Sequence, residues 1–193
     1  MKTIVGFLSR EHGLNVLQAL IKEDFKIITL FTHKLNPKSQ DKTKGIRKDF
    51  QKFVDLCKQK NIELISIDDK ESKIDCPNCD FIIEVSWRYL ISSEITKKAS
   101  MLAFGIHRGK LPDYAGAEPI KQALKKNEKE IIISAHHLDT KIDAGEVITS
   151  KSHKVNYNSN KSLEKNIQQI RNEITSLFSE ITLEVLEEKL SHR

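Results

Sequence analysis

Two segments of this chain place titratable side chains where they could handle a proton. One is Phe104-Gly105-Ile106-His107-Arg108-Gly109-Lys110-Leu111-Pro112-Asp113-Tyr114-Ala115-Gly116. The other is His136-His137-Leu138-Asp139-Thr140-Lys141-Ile142-Asp143-Ala144-Gly145-Glu146. Each puts one such group, His107 or Asp143, beside a strand end and a glycine turn. An imidazole and a carboxylate on neighbouring turns of one sheet can share a proton, which acid–base work at a carbonyl carbon requires. A lone histidine at a strand end is more often structural, and an Asp before Ala-Gly is usually a turn residue. The ordered pair is what carries weight.

The elements that must position this pair follow from periodicity. Thr3 to Leu8 is a compact apolar run, and Lys26 to Thr32 is a second. Between them Val16, Leu17, Leu20 and Ile21 have helical spacing, so Asn15–Lys22 is predicted as a helix. Strand, helix and strand within about thirty residues argue for a parallel crossover. Phe50, Phe53, Val54 and Cys57 mark a further helix face. Strands are expected at 62–67, 81–85, 102–106, 131–137 and 146–153. Helices are expected at 90–99 and, with proline near its start, at 119–126. From Leu163 to Leu190 apolar residues recur every three or four positions, as one long amphipathic helix or two short ones. That face packs on the sheet or forms a dimer seam.

The alternation gives an α/β doubly wound sheet. Ligands of such sheets sit outside the carboxyl ends of the strands. Ser9, His33, Ser86-Trp87-Arg88, His107 and the 138–143 turn all follow predicted strands and are expected to converge on one edge.

Composition narrows the class. A chain of 193 residues with 38% apolar and 31% charged residues suits one globular domain. It is read as a single domain over 1–193, with 155–193 as a C-terminal helical segment packed on it. The formal charge of +5 comes from lysines interspersed with glutamates. That reads as a solvated surface suited to anionic small molecules, and no nucleic-acid partner is expected. Three cysteines, Cys57, Cys76 and Cys79, do not make a secreted disulfide framework. Cys76-Pro77-Asn78-Cys79 is half a zinc site without a second half, so no metal is expected. No run approaches the ~18 apolar residues of a membrane span, and a cytoplasmic location is expected. A nicotinamide-dependent reductase would need G-x-G-x-x-G after the first strand. Gly6 and Gly13 do not supply it.

The two opening segments resemble the folate-dependent formyltransferase family. Its motif is Asn-x-His, a turn, Leu-Pro-x-Tyr-Arg-Gly, and later His-x-x-x-x-x-x-Asp-x-Gly. His107, Leu111-Pro112, Tyr114, His136, Asp143 and Gly145 fall at matching positions. Within the family the chain looks most like the nucleotide-amino-sugar N-formyltransferases. Phe31-Thr32-His33 with Asn36-Pro37, Ser86-Trp87-Arg88-Tyr89-Leu90-Ile91 and Gly109-Lys110-Leu111-Pro112 carry that likeness, which covers roughly residues 1–150. Gly13, Asn15, Leu17 and Gln18 are similar to the phosphate-holding first loop of glycinamide ribonucleotide formyltransferases, which keeps that acceptor open.

The resemblance implies a Rossmann-like formyltransferase fold, mostly parallel with helices on both faces and a C-terminal helix. It implies transfer of a formyl group from 10-formyltetrahydrofolate, as co-substrate, to a primary amine, most readily of a nucleotide-linked amino sugar. His107 and Asp143 would be catalytic, with Gly105, His136 and His137 in support. Ser86, Trp87, Arg88, Tyr89, Leu90, Leu138, Asp139, Thr140 and Ile142 would cradle the pterin. Ser9, His12, His33, Lys34, Gly109, Lys110, Pro112 and Tyr114 would face the acceptor. Two departures stand out: the family's asparagine falls at Gly105, and its arginine at Ala115. That asparagine donates to the formyl oxygen, and losing one such donor costs on the order of 10²–10³ in rate. A water, a backbone N–H or His137 could replace it. A non-catalytic folate or nucleotide-sugar binder is the remaining alternative.

Overall fold

The computed structural model describes residues 1–191, so the last two positions of the expected 155–193 segment lie outside the described residues. The strands are β1 (Thr3–Leu8), β2 (Lys26–Thr32), β3 (Glu63–Ser66), β4 (Cys79–Val85), β5 (Ala99–His107), β6 (Glu130–His137) and β7 (Val147–Lys154). The helices are α1 (Arg10–Lys22), α2 (Phe50–Lys60), α3 (Ser93–Thr96), α4 (Pro119–Lys125), α5 (Leu163–Glu173) and α6 (Thr175–Ser191). The strands hydrogen bond in the order β3-β2-β1-β4-β5-β6-β7. β1 is parallel to β2 and β4, and β2 to β3; β6 is antiparallel to both β5 and β7. This is the Rossmann-like α/β fold that the sequence predicts, a mostly parallel sheet with a C-terminal helix.

The described residues divide into two compact units, Met1–Tyr89 with Glu94–Ala103, and Leu90–Ser93 with the chain from Phe104 onward. β5 contributes its first half to one and its second half to the other. In the first unit, Ile4, Val5, Phe7 and Leu8 of β1 are fully buried. An unbroken apolar run is what a central parallel strand needs, because neither face meets water. α1 packs against β1, β2 and β4 through Leu14, Val16, Leu17 and Leu20. It approaches closely because residue 13 is glycine: a Cβ there would lie 3.0 Å from the Leu8 carbonyl carbon. The helix starts at Arg10 rather than at Asn15. Ser9 is extended and Arg10 has φ +64°, so the chain turns from strand to helix within two residues. The first helical bond runs from Gly13 N to Ser9 O at 3.1 Å.

The 90–99 segment departs further from expectation. Only Ser93–Thr96 is helical, and β5 already begins at Ala99. Sheet pairing wins over local helical spacing here: the Cys79 N–H donates to the Lys98 carbonyl at 3.0 Å, which draws the chain into the sheet just after α3.

In the second unit, α6 lies on β6 and β7 and buries Phe178, Ile181, Val185 and Leu186. The C-terminal apolar series is therefore two helices, with Ile174 ending the first. Ser162 caps α5, its Oγ accepting from Lys165 N at 3.3 Å. The buried Asn166 amide donates to the Asn158 and Ser162 carbonyls, both at 3.0 Å, and so ties down the polar connector.

At the start of β1, Asp80 accepts from Thr3 N and Thr3 Oγ1, both at 2.9 Å, and from Lys2 Nζ at 3.1 Å. The backbone bond from Thr3 leads in holding its carboxyl down to about 2. A carboxylate with a depressed folded pKa stabilises above its unfolded value, and the gain is lost as pH falls through the folded one. Urea midpoints of the D80N variant should therefore depend less on pH between 4 and 2 than those of the parent chain.

Candidate active site

The polar groups singled out from the sequence fall into two clusters, one in each unit. The cluster in the second unit rests on strand register. β5 and β6 pair antiparallel with Gly105 opposite His136 and Phe104 opposite His137. Alternation then places the side chains of His107 and His136 on one face, as diagonal neighbours, and His137 on the other. His136 is buried at 3% exposure, whereas His137 is exposed. The group beside Gly105 is thus His136. The expectation that His137 could stand in for the missing asparagine is corrected by this register.

Asp143 comes to that face by the loop that joins β6 to β7. Its Oδ2 lies 3.3 Å from His107 Nδ1, and its Oδ1 lies 3.6 Å from His136 Nε2. The side chains of His107 and Asp143 are only 10% and 12% exposed. Gly116 N donates to Asp143 Oδ2 at 2.9 Å. His107 Nε2–H donates to the Tyr114 carbonyl at 2.7 Å, so the 111–118 segment grips both partners. Burial pushes His107 below the ordinary imidazole value, against the pull of Asp143. Asp143 itself has φ +54°, a left-handed conformation that Asp tolerates better than most residues. Gly145 is dictated by packing: a Cβ would sit 1.8 Å from the His137 carbonyl oxygen. Because β6 runs antiparallel to β5, this site is assembled on a sheet face by a returning loop. It is not a row of strand ends.

The surrounding segment is built from tight contacts. Gly109 is buried, and its carbonyl accepts from Ser134 Oγ at 2.9 Å. Tyr114 is buried, with its hydroxyl donating to Glu128. Lys110 is exposed and pairs with Asp113 at 2.9 Å. Pro112 is exposed, as are Asp139, Thr140 and Ile142 in the other loop, while Leu138 is half-buried.

The first unit holds the other cluster. His33 is fully buried. Its Nδ1–H donates to the Ile67 carbonyl and its Nε2 accepts from Arg88 N at 3.1 Å. Both nitrogens are used, and burial, with Arg88 next in weight, drives its pKa down to about 3. The neutral ring stacks on Trp87 with centroids 4.1 Å apart, and Tyr89 meets it edge-on at 5.2 Å. Trp87 N donates to Glu84 at 2.8 Å, and the Tyr89 hydroxyl donates to the Asp68 carbonyl at 2.8 Å. Arg88 reaches the Leu35 carbonyl and lies 3.9 Å from Asp68. Ser86 opens the segment at φ +58°, and Lys34 is exposed; Leu90, also exposed, belongs to the second unit.

Three residues expected on the acceptor side, Ser9, His12 and His33, are buried. His33 shapes the Trp87–Arg88 segment from beneath. Ser9, 1% exposed, has its Oγ 3.1 Å from Thr32 Oγ1, and it accepts from Arg47 Nη1 at 2.7 Å. His12 lies inside the first turn of α1 at 4% exposure. Arg47 was missed by sequence reasoning. It is 1% exposed, its Nη2 lies 3.0 Å from Asp49 Oδ2, and its guanidinium sits 5.5 Å from the centre of the Phe53 ring. Nothing in a lysine-rich stretch marks one cation as buried. Its only signal is its place just before the apolar face that begins at Phe50.

Fold and site together describe an α/β protein with a half-buried carboxylate set between two imidazoles on one face of the sheet. The model of the formyl transferase family matches residues 4–181, and the chain belongs to that family. A curated relative, the bifunctional polymyxin resistance protein ArnA of Wigglesworthia glossinidia brevipalpis, is 29% identical over 158 residues. The match takes in 80% of this chain but only 23% of that protein. Among solved structures, phosphoribosylglycinamide formyltransferase of Streptococcus pneumoniae TIGR4 superposes with TM-score 0.67 at 16% identity, covering 96% of this chain and 99% of that one. The Helicobacter canadensis N-formyltransferase, solved with folinic acid and dTDP-3-aminofucose, gives 0.66 at 17%, covering 98% and 65%. Among the described residues, no helix is long and apolar enough to cross a membrane, and no group of three metal-ligating side chains forms.

Two outcomes follow from this geometry. Gly145→Ala forces the loop off the His137 carbonyl and should lower stability by about 3 kcal/mol, read from urea unfolding. His33, neutral in the fold, stabilises fully above its unfolded pKa of about 6.5, and that gain is lost as pH falls toward its folded value. Its ring protons should show no titration above pH ~4 in NMR spectra, and stability should decline across this window.

Proposed function

We propose that this protein transfers a formyl group from 10-formyltetrahydrofolate to the primary amine of a nucleotide-linked amino sugar. The observation that carries the reading is the buried contact between His107 Nδ1 and Asp143 Oδ2 at 3.3 Å, in a chain of the formyl transferase family. The amine nitrogen attacks the formyl carbon, and negative charge develops on the formyl oxygen. His107 Nε2–H, held in this structure by the Tyr114 carbonyl, exchanges that partner for the formyl oxygen. Asp143 takes the amine proton through water and favours the charged form of His107. The proton ends on N10 of the leaving folate. Holding two substrates in register provides much of the remaining acceleration.

The pterin is assigned to the 138–142 loop beside the His107–Asp143 pair. On the acceptor side, exposed Lys110 suits an anionic nucleotide diphosphate. The N-formyltransferases solved with dTDP or with dTDP-3-aminofucose support this acceptor class. Glycinamide ribonucleotide is the second reading, favoured by solved formyltransferases for that substrate that overlay along nearly their whole length. The chain is read as acting in the cytoplasm without a metal.

The test is turnover. The protein is incubated with 10-formyltetrahydrofolate and a panel of amino-sugar nucleotides together with glycinamide ribonucleotide, and products are weighed by mass spectrometry. Formylated amino sugar is expected. Folate binding with no product from any acceptor would make the chain a binder and end this reading. H107A and D143N should each lower the rate by about 10²–10⁴-fold, with circular dichroism unchanged.

A further inference from the structure

Asp143 has two histidine neighbours: His107 at 3.3 Å on Oδ2 and His136 at 3.6 Å on Oδ1. The far nitrogen of each ring is already committed. His107 Nε2 bonds the Tyr114 carbonyl at 2.7 Å, and His136 Nδ1 bonds the His137 carbonyl at 2.9 Å. A carbonyl can only accept, so each of those nitrogens carries a hydrogen. In a neutral ring the nearer nitrogen is then bare, and it points at a carboxylate oxygen. With both rings neutral the cluster would hold two contacts of lone pair against lone pair.

His136 Nε2 shows the consequence. It is buried and has no hydrogen-bond partner, a costly state for a polar atom. One added proton turns one of the contacts into an imidazolium–carboxylate pair and leaves the three groups neutral together. A second added proton would leave a net positive charge in a place that water barely reaches. Arg108 already faces His107, and His137 lies beside His136; both disfavour that second charge. Burial acts in the same direction on both rings. Among the described residues, the 111–118 segment sets the Tyr114 carbonyl and the Gly116 N–H against this group.

We propose that His107, Asp143 and His136 hold one proton in common, so that charging either histidine excludes charging the other. His136 is then a positioning residue. It acts through Asp143 by setting how much of the time His107 is an imidazolium. This deepens the proposed function, because a His107 that carries the shared proton for part of the time can both give and take a proton during a turnover. Its physical basis, however, is the hydrogen-bond geometry alone.

The experiment is nitrogen-resolved NMR of the histidine rings in the full chain, labelled with ¹⁵N and titrated with acid. His107 Nδ1 and His136 Nε2 should each be fractionally protonated over a shared pH range, with one proton between them. In H136Q, which keeps an N–H donor for Asp143 but cannot take charge, the first proton has only His107 to charge, so the charged fraction that His107 reaches on that first titration should rise about twofold. A His136 Nε2 that stays bare throughout, or a His107 charged fraction unchanged in H136Q, would overturn the proposal. If H136Q does not fold, D143N decides: the two rings should then titrate independently, and a titration identical to the parent's would count against the shared proton. Turnover is measured separately. Absence of transfer with a shared proton present removes the proposed function and leaves this inference standing.

Discussion

The arrangement of the second unit depends on one close approach, that of Gly145 to the carbonyl of His137. The loop after β6 could leave the sheet in many directions. It folds back because His137 N donates to the Glu146 carbonyl at 2.9 Å and because residue 145 has no side chain to hold the strands apart. Everything that gives Asp143 its chemistry follows from this. The carboxylate is brought over the face where His107 and His136 already stand, and the Gly116 N–H fixes its outer oxygen. A one-residue slip of β6 against β5 would exchange His136 for His137 on that face, so register and site are a single constraint.

The first unit solves a different problem, that of burying polar groups among strand ends. Arg47 is among the largest side chains entirely removed from water. Burial lowers its pKa to about 10, which still leaves it charged at neutral pH. Ser9 and Asp49 absorb part of the cost, and the Phe53 ring adds a face for the cation. His33 takes the opposite course and stays neutral, with one donor and one acceptor satisfied. The pair shows why the two bases behave differently in one place: an arginine cannot discard its proton, whereas a histidine can.

Most of the fold was legible in the sequence because its signals were local. β1 and β2 are continuous apolar runs, the face marked by Phe50, Phe53, Val54 and Cys57 lies on α2, and α4 falls within a residue of its predicted bounds. The two helices at the C-terminus were open between one and two because no glycine or proline marks the break at Ile174. The 90–99 segment was misread because β-pairing there comes from a neighbouring strand, which spacing along the chain cannot reveal. In the site, the meeting of His107 and Asp143 was expected from motif order. The roles of His136 and His137 could not be told apart, since adjacent residues on a strand differ only in which face they present. Ser9 and His33 were expected at the sheet edge because they follow strands; their burial, beside a buried arginine, was not legible along the chain.

Trp87 is the only tryptophan in the chain, and it lies flat against the imidazole of His33. An uncharged imidazole leaves an excited indole largely undisturbed, whereas an imidazolium drains it of light. The stack in the first unit is therefore an intrinsic optical gauge of that ring's charge: the indole is expected to emit while His33 is neutral and to dim once acid charges it.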